Sequence, residues 1–167
     1  MNRNTGAVKT AVVVLILLLV SYSMFSCTSL KVRSKGYLAE GEGLPQDASF
    51  VLGDIKVTSY NFLEEEEIGY IMAQKLSFSL AGSREIRFHR SHQPGDYILD
   101  PELIIKVYEE RYATRNYYLL TVRIMQEERV IGHFTYEYNG SSSVFDAQVQ
   151  NSMVKRFLGD LSKRKKK

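Results

Sequence analysis

The feature that most constrains the fold is a run of three alternating stretches between residues 103 and 138. Apolar and polar side chains alternate through residues 103–112, 117–126 and 130–138. A period of two places the apolar side chains on one face of a strand and the polar ones on the other. The short separations between the stretches predict turns at residues 113–116 and 127–129. The sequence therefore predicts an antiparallel meander, closed by a further turn at Asn139-Gly140.

Two other stretches carry apolar residues four apart, which predicts amphipathic helices. The first helix is predicted to begin at Asn61, whose spacing to Glu64 is that of a capping box, and to end at Gly82. The second is predicted to begin near Ser143, with Asp146 as part of its cap. The apolar positions are Ile68, Met72, Leu76 and Leu80 in the first helix, and Phe145, Val149, Met153 and Phe157 in the second.

Two more strands, at residues 48–59 and 84–89, complete the predicted order β-α-β-β-β-β-α. Because each helix has one apolar stripe, both helices are expected to cover the same face of the sheet. The predicted fold class is α+β: a two-layer sandwich with a mostly antiparallel sheet of about five strands. The other face of the sheet is then rich in Tyr, Lys, Arg and Glu.

The first 26 residues have the pattern of a secretory signal peptide. Arg3 and Lys9 precede an apolar run at residues 11–20, and Ser26 stands before Cys27, which is the only cysteine in the chain. Ser26-Cys27 resembles the lipobox of bacterial lipoproteins, although the two residues before Ser26 depart from the usual pattern. The resemblance implies cleavage before Cys27 and a covalent lipid on its thiol. An uncleaved membrane helix, for which the run is short, and an ordinary signal peptide without lipid remain alternatives.

Residues 27–47 are expected to be the lipidated cysteine and a flexible tether, because they contain several Gly and Pro and few apolar residues. Lys31, Arg33 and Lys35 in this segment are either solvated or in contact with anionic headgroups. The folded domain is predicted at residues 48–161. A basic, disordered tail is predicted at residues 162–167, either solvated or in contact with anionic lipid.

The charge distribution argues against a nucleic-acid-binding domain. The chain has a net charge of +3, and removal of residues 1–26 removes two basic residues and no acid. Residues 163–167 are all basic, so the remainder of the mature chain is net acidic. We therefore expect no nucleic-acid partner.

No motif of a known catalytic site or metal site occurs in the sequence. His89 and His92 have no third ligand nearby, and four consecutive glutamates on a helix point in different directions. We therefore expect a non-enzymatic protein with no catalytic residues, no metal site and no cofactor other than the covalent lipid on Cys27.

The polar face of the meander is the predicted partner-binding surface, because Tyr and Arg are favoured at interfaces. The alternative interpretation is that these side chains form ordinary cross-strand pairs. The candidate residues are Lys106, Tyr108, Tyr112, Tyr117 and Arg123.

A lipobox cysteine followed by a domain of this layout is similar to several envelope proteins. These are the lipopolysaccharide-assembly lipoproteins, the amino-terminal domain of Tol translocation proteins and the lipoprotein activators of peptidoglycan synthases. The resemblance concerns architecture alone. It implies a periplasmic domain and a role as an assembly, accessory or docking factor for an envelope or outer-membrane protein. Thr28 follows Cys27 in place of the Asp that retains enterobacterial lipoproteins at the inner membrane, so we expect the lipid anchor to lie in the outer membrane. Carriage of lipid or glycolipid is the alternative function, and activation of a peptidoglycan synthase is a weaker one.

Overall fold

The computed structural model describes residues 30–39, 43–60, 64–111 and 113–164, and these form one α+β domain. Seven strands make up its sheet: β1 (Val32–Leu38), β2 (Ser49–Leu52), β3 (Lys56–Ser59), β4 (Arg87–His89), β5 (Tyr97–Glu110), β6 (Ala113–Gln126) and β7 (Arg129–Gly140). Its two helices are α1 (Glu65–Ala81) and α2 (Ala147–Arg164). The predicted two-layer sandwich is confirmed.

The sheet has the order β1-β7-β6-β5-β2-β4, and β3 pairs with β5 beside β2. The predicted meander is confirmed, because β5, β6 and β7 pair antiparallel in sequence. The strand count differs from the expected five, and the sheet is mixed: the long ladders are antiparallel, whereas β2 and β3 pair parallel to β5, and β4 pairs parallel to β2. The predicted single strand at residues 48–59 is divided at residues 53–55 into β2 and β3, both of which lie along β5.

Strand β1 lies within the segment that was predicted to be a flexible tether. Residues Val32–Leu38 pair antiparallel with β7 along their whole length. The prediction of a tether at residues 27–47 is wrong for this part, and the domain begins at least as early as Leu30. Its sequence gives little sign of a strand, because only Val32 and, in part, Leu38 at its two ends are buried, and the edge position leaves the residues between them exposed.

The turns of the meander differ from the prediction at two places. Residues 113–116 lie in β6 rather than in a turn, because Glu110 pairs directly with Ala113 and Arg111 adopts φ 57°. A two-residue hairpin turn needs left-handed backbone, which Gly and Asn adopt most readily. Because position 111 is an arginine, the sequence gives no sign of a turn there. Asn139-Gly140 belongs to β7 rather than to a turn, whereas the turn between β6 and β7 lies where it was predicted.

The core lies between the sheet and the two helices. Helix α1 packs over β3 and β4, helix α2 packs over β1 and β7, and the helices also contact each other. The stripes predicted for both helices are buried, except that Phe145 precedes α2 and is 46% exposed. Phe157 of α2 makes edge contacts with Phe134 and Tyr136 of the sheet, at ring-centroid distances of 6.4 and 6.1 Å.

The helix ends differ from the predicted caps. Helix α1 begins at Glu65 after Glu64, which makes no side-chain capping bond, and Asn61 lies outside the described residues. At α2 the carboxylate of Asp146, rather than the hydroxyl of Ser143, accepts the backbone N–H of Gln148 at 2.8 Å. Asp146 therefore has the role of the N-cap residue.

Within the four described ranges, neither helix is long and apolar enough to cross a membrane. The predicted signal peptide, Cys27 and residues 165–167 of the predicted tail lie outside these ranges.

Candidate functional site

The face of the sheet opposite the helices is the candidate functional site, and we call it the open face. It consists of the outward side chains of β1, β3, β5, β6 and β7. These alternate with the buried core residues, and along β5, β6 and β7 most of them are half-buried. The main members are Arg33, Lys35, Tyr37, Lys56, Asp100, Glu102, Lys106, Tyr108, Arg115, Tyr117, Arg123, His133, Glu137 and Asn139.

Four of the five predicted partner-binding residues lie on the open face. Lys106 and Tyr108 of β5 lie there with Tyr117 and Arg123 of β6, and Lys106 pairs directly across from Tyr117. Tyr112 lies outside the described residues. The meander alone brings these four side chains together, because residues two apart on paired strands share a face.

An ion pair stands at one end of the open face. The Arg123 guanidinium donates to Asp100 Oδ2, at 2.9 Å from Nε and 2.7 Å from Nη2. Next to it, Arg123 is the cross-strand neighbour of His133, whose ring meets Tyr37 of β1 edge-on at 5.7 Å. The charge of Arg123 is therefore already partnered within the protein.

The other end of the open face carries the tyrosines. The Tyr108 hydroxyl donates to Asn139 Oδ1 at 3.0 Å, and 39% of the Tyr108 surface is exposed. Lys106 Nζ lies 4.6 Å from the centroid of the Tyr60 ring, in the range of a cation–π contact. Tyr60, which the sequence analysis did not single out, thereby extends the surface beyond β5.

Partial burial changes the electrostatics of this end. Burial raises the pKa of Tyr117, and the negative charge of Glu137 raises it further. The Tyr117 hydroxyl therefore remains a neutral group that can donate and accept hydrogen bonds. Together with the exposed ammonium of Lys106, the surface offers aromatic area, hydroxyls and positive charge, which suits contact with an acidic surface.

A second polar cluster lies between β2, β4 and the start of β5. The Asp96 carboxylate, which is almost fully buried, accepts from the Ser49 hydroxyl and from the Gln93 backbone N–H at 2.8 Å. His89 Nδ1 lies 3.0 and 3.1 Å from its two oxygens, and since a carboxylate only accepts, Nδ1 carries the hydrogen. Sequence reasoning missed this cluster, because one acid between a loop and a strand gives no signal of its own.

The geometry of this cluster is that of a structural node rather than a catalytic triad. In a triad the histidine stands between the serine and the acid, whereas here Asp96 stands between Ser49 and His89. Burial alone would raise the pKa of Asp96, but the hydrogen bonds from Ser49, Gln93 and His89 outweigh it and hold the pKa below its ordinary value of 3.8. Asp96 is therefore a charged anchor that joins the loop before β5 to β2 and β4.

His92, the other histidine considered as a ligand, is exposed in the same loop. Among the residues that the structure describes, no three His, Cys, Asp or Glu side chains are grouped so as to hold a metal ion.

Comparison with known proteins identifies a shared fold but no family. Neither a protein-family model nor a curated relative matches the sequence. The chain is similar to PelC from Paraburkholderia phytofirmans, crystallised as a dodecamer, at 16% identity and a TM-score of 0.52 over 82% of this chain and 100% of that one. A point variant of that PelC gives 12% identity and a TM-score of 0.49 over the same shares of the two chains. A Helicobacter pylori homologue of the neuraminyllactose-binding hemagglutinin gives 14% identity and a TM-score of 0.42, over 78% of this chain and 90% of that one.

Proposed function

We propose that this chain is a lipid-anchored lipoprotein of the bacterial envelope that acts, without catalysis, by docking through the open face onto a partner protein. Cys27 is the proposed site of the lipid, the outer membrane is the proposed location, and the domain is proposed to lie in the periplasm. The observation that carries the docking proposal is the open face itself: both helices lie on the other side of the sheet.

The chemistry of the open face favours a protein partner with an acidic surface. Tyr108 and Tyr117 bring large area with few rotatable bonds, which lowers the entropy cost of binding. Lys106 places an exposed positive charge between them, and its cross-strand pairing with Tyr117 keeps these groups together. A partner with carboxylates around an apolar centre would match this arrangement.

Carriage of lipid, the alternative function, would need an apolar slot. One groove of about 470 Å³ lies between β3 and α1, and Asp54, Glu65 and Glu66 line it together with apolar residues such as Ile55 and Val57. Another, of about 480 Å³, is lined by Lys155, Arg156, Asp160 and Lys163 together with uncharged residues. Both grooves are open and carry charged side chains, whereas acyl chains need an enclosed apolar slot, so the docking function is the one we favour.

Photocrosslinking in intact cells tests the docking surface. A photoreactive phenylalanine analogue would replace Tyr108 or Tyr117 on the open face, and Tyr70 of α1 as the matched control. Tyr70 is 65% exposed and lies on the helical side of the domain. We expect a discrete adduct from Tyr108 and Tyr117 and none from Tyr70, and the mass of the adduct distinguishes a different protein from a second copy of this chain.

A charge reversal supplies the second arm of this experiment. Lys106→Glu is expected to lower the yield of the Tyr117 adduct about tenfold, because a like charge would then face an acidic partner. Arg84→Glu, an exposed reversal outside the open face, is expected to leave the yield unchanged. No adduct from either open-face position, or an equal adduct from Tyr70, would show that the docking surface is wrong.

A further inference from the structure

The edge of the domain that begins at Leu30, three residues after Cys27 in the sequence, carries a groove. Leu30 packs partly buried against the core just before β1, and the groove of about 480 Å³ runs between it and α2. We call this region the anchor edge. Its members are Leu30, Lys31, Ser34, Ser152, Lys155, Arg156, Gly159, Asp160 and Lys163.

Positive charge dominates the anchor edge. Lys31, Lys155 and Arg156 are exposed, and the Lys163 side chain is 78% exposed. The acid that lines the groove, Asp160, accepts a hydrogen bond from the buried Tyr136 hydroxyl at 3.2 Å, and Lys163 Nζ lies 4.0 Å from its other oxygen. Lys31, Lys155 and Arg156 form no ion pair with another residue that the structure describes, so their charges are available to an external anion.

The chain on both sides of this groove adds to the charge. Arg33 and Lys35 project from β1 on the open-face side. At the end of α2, Arg164 donates to the Gly36 carbonyl at 3.2 Å, which brings the carboxyl end of the helix to β1. Three lysines follow Arg164 in the sequence. The described residues Arg33, Lys35 and Arg164, which are distant in sequence, are thus gathered at one edge of the sheet.

The distance to the proposed lipid is short. Only three peptide steps separate Cys27 from Leu30, and even a fully extended chain covers about 10 Å in three steps. This is close to the Debye length of about 8 Å at physiological ionic strength. Since the folded domain begins at least as early as Leu30, an anchor at Cys27 would keep the start of β1 near the bilayer surface but would leave the orientation of the domain free.

We propose that the anchor edge binds the headgroups of anionic lipids in the membrane that holds the anchor, so that the domain lies on the bilayer in one orientation. The proposal rests on the lipid anchor proposed above. We assign an anionic lipid surface as the binding partner of the groove because the groove is open and lined by cationic side chains. It is also close in sequence to Cys27, the residue that we propose to carry the lipid. The acidic first turn of α1, at Glu65–Glu67, lies near β3 and away from β1, so an anionic surface attracts the anchor edge and repels this other end of the helical layer.

A fluorescent probe in the groove tests this orientation in the full, processed lipoprotein. Ser152→Cys places a label on α2 in the anchor edge, and Arg87→Cys places one on β4 at the opposite edge of the sheet. The edge strands β1 and β4 are five strand spacings, or about 24 Å, apart. Cys27 does not compete for the label when its thiol is acylated. The protein is reconstituted into vesicles whose headgroups carry a nitroxide quencher, made either of phosphatidylcholine alone or with phosphatidylglycerol.

We expect the Ser152 label to be quenched more strongly in the anionic vesicles than in phosphatidylcholine, whereas the quenching of the Arg87 label does not rise in the anionic vesicles. The excess of Ser152 quenching over the phosphatidylcholine level should fall by about tenfold or more in Lys155→Glu/Arg156→Glu, and in wild type at about 1 M salt, where the Debye length is about 3 Å. The matched control Arg84→Glu/Arg90→Glu reverses two exposed charges at the other edge, and it should leave the quenching of the Ser152 label unchanged. Circular dichroism of each variant verifies folding.

The outcomes separate this proposal from the proposed anchor and docking functions. Equal quenching of the Ser152 label in both kinds of vesicle, or quenching that survives the charge reversal and high salt, overturns headgroup binding. The mass of the amino-terminal peptide from the same preparation reports the lipid on Cys27 independently. A lipidated chain with an unquenched Ser152 label refutes the anchor edge and leaves the proposed function standing.

Discussion

Asp96→Asn is predicted to destabilise the domain by about 2–4 kcal/mol. The carboxylate of Asp96 accepts from Ser49, Gln93 and His89, and its side chain is almost fully buried. A hydrogen bond to a charged group contributes about 1.5–3 kcal/mol. An asparagine oxygen in the place of Oδ1 can keep the bonds from Ser49 and His89, but its amide hydrogens then face the Gln93 N–H. The loss is therefore one charge-assisted bond, about 1.5–3 kcal/mol, together with the weakening of the other two on an uncharged acceptor.

Urea unfolding, followed by far-ultraviolet circular dichroism, measures this loss at neutral pH, and Asp54→Asn is the matched control. Asp54 is exposed, so its substitution should change the free energy of unfolding by no more than about 0.5 kcal/mol.

The folded-state pKa of Asp96 is depressed, so its contribution is present above the unfolded value of 3.8 and is lost as the pH falls below it. The difference between wild type and Asp96→Asn should thus narrow in acid. A loss of unfolding free energy below about 0.5 kcal/mol at neutral pH would refute the stabilising role of Asp96. A difference between wild type and Asp96→Asn that widens in acid would also refute it.

Three further predictions concern the core and β1. Phe157→Ala should cost about 3–5 kcal/mol, since the side chain is fully buried, whereas Phe145→Ala should cost less than about 1 kcal/mol; equal losses would contradict the packing of α2. Burial raises the pKa of Tyr118 and Tyr136 above 10.0, so the free energy of unfolding should fall once the pH exceeds about 10. Replacement of both tyrosines by Phe should make that fall less steep. A urea midpoint that does not change in base would contradict this prediction. Gly36→Val should cost about 1–3 kcal/mol, because its Cβ would overlap a buried phenylalanine ring of β7; an unchanged melting temperature would exclude that contact.

The meander and the two helical stripes could be predicted from the sequence because their signals are repeated. Leu120, Val122 and Ile124 are all buried on one face of β6, as their period requires. The same period places Lys106, Tyr108, Tyr117 and Arg123 on the open face. Local patterning therefore suffices for the elements that bury one complete face.

The remaining features depend on partners that are distant in sequence. β1 is an edge strand whose pairing with β7 spans about a hundred residues, and its exposed side chains do not differ from those of a linker. The parallel pairing of β2 and β3 with β5 leaves no mark that distinguishes it from antiparallel pairing. The Asp96 node joins Ser49 to His89 across three elements, and the anchor edge joins Leu30 to Lys155. No local pattern encodes these contacts.

The proposed docking and orientation of the domain both depend on a covalent lipid at Cys27. Metabolic labelling with an alkyne fatty acid tests this lipid most directly. Cells that express the wild-type chain or Cys27→Ala are labelled, and the purified protein is assayed for incorporated lipid. The account predicts incorporation into wild type and its complete loss in Cys27→Ala. Wild-type protein without incorporated lipid, or equal incorporation in both, would contradict it.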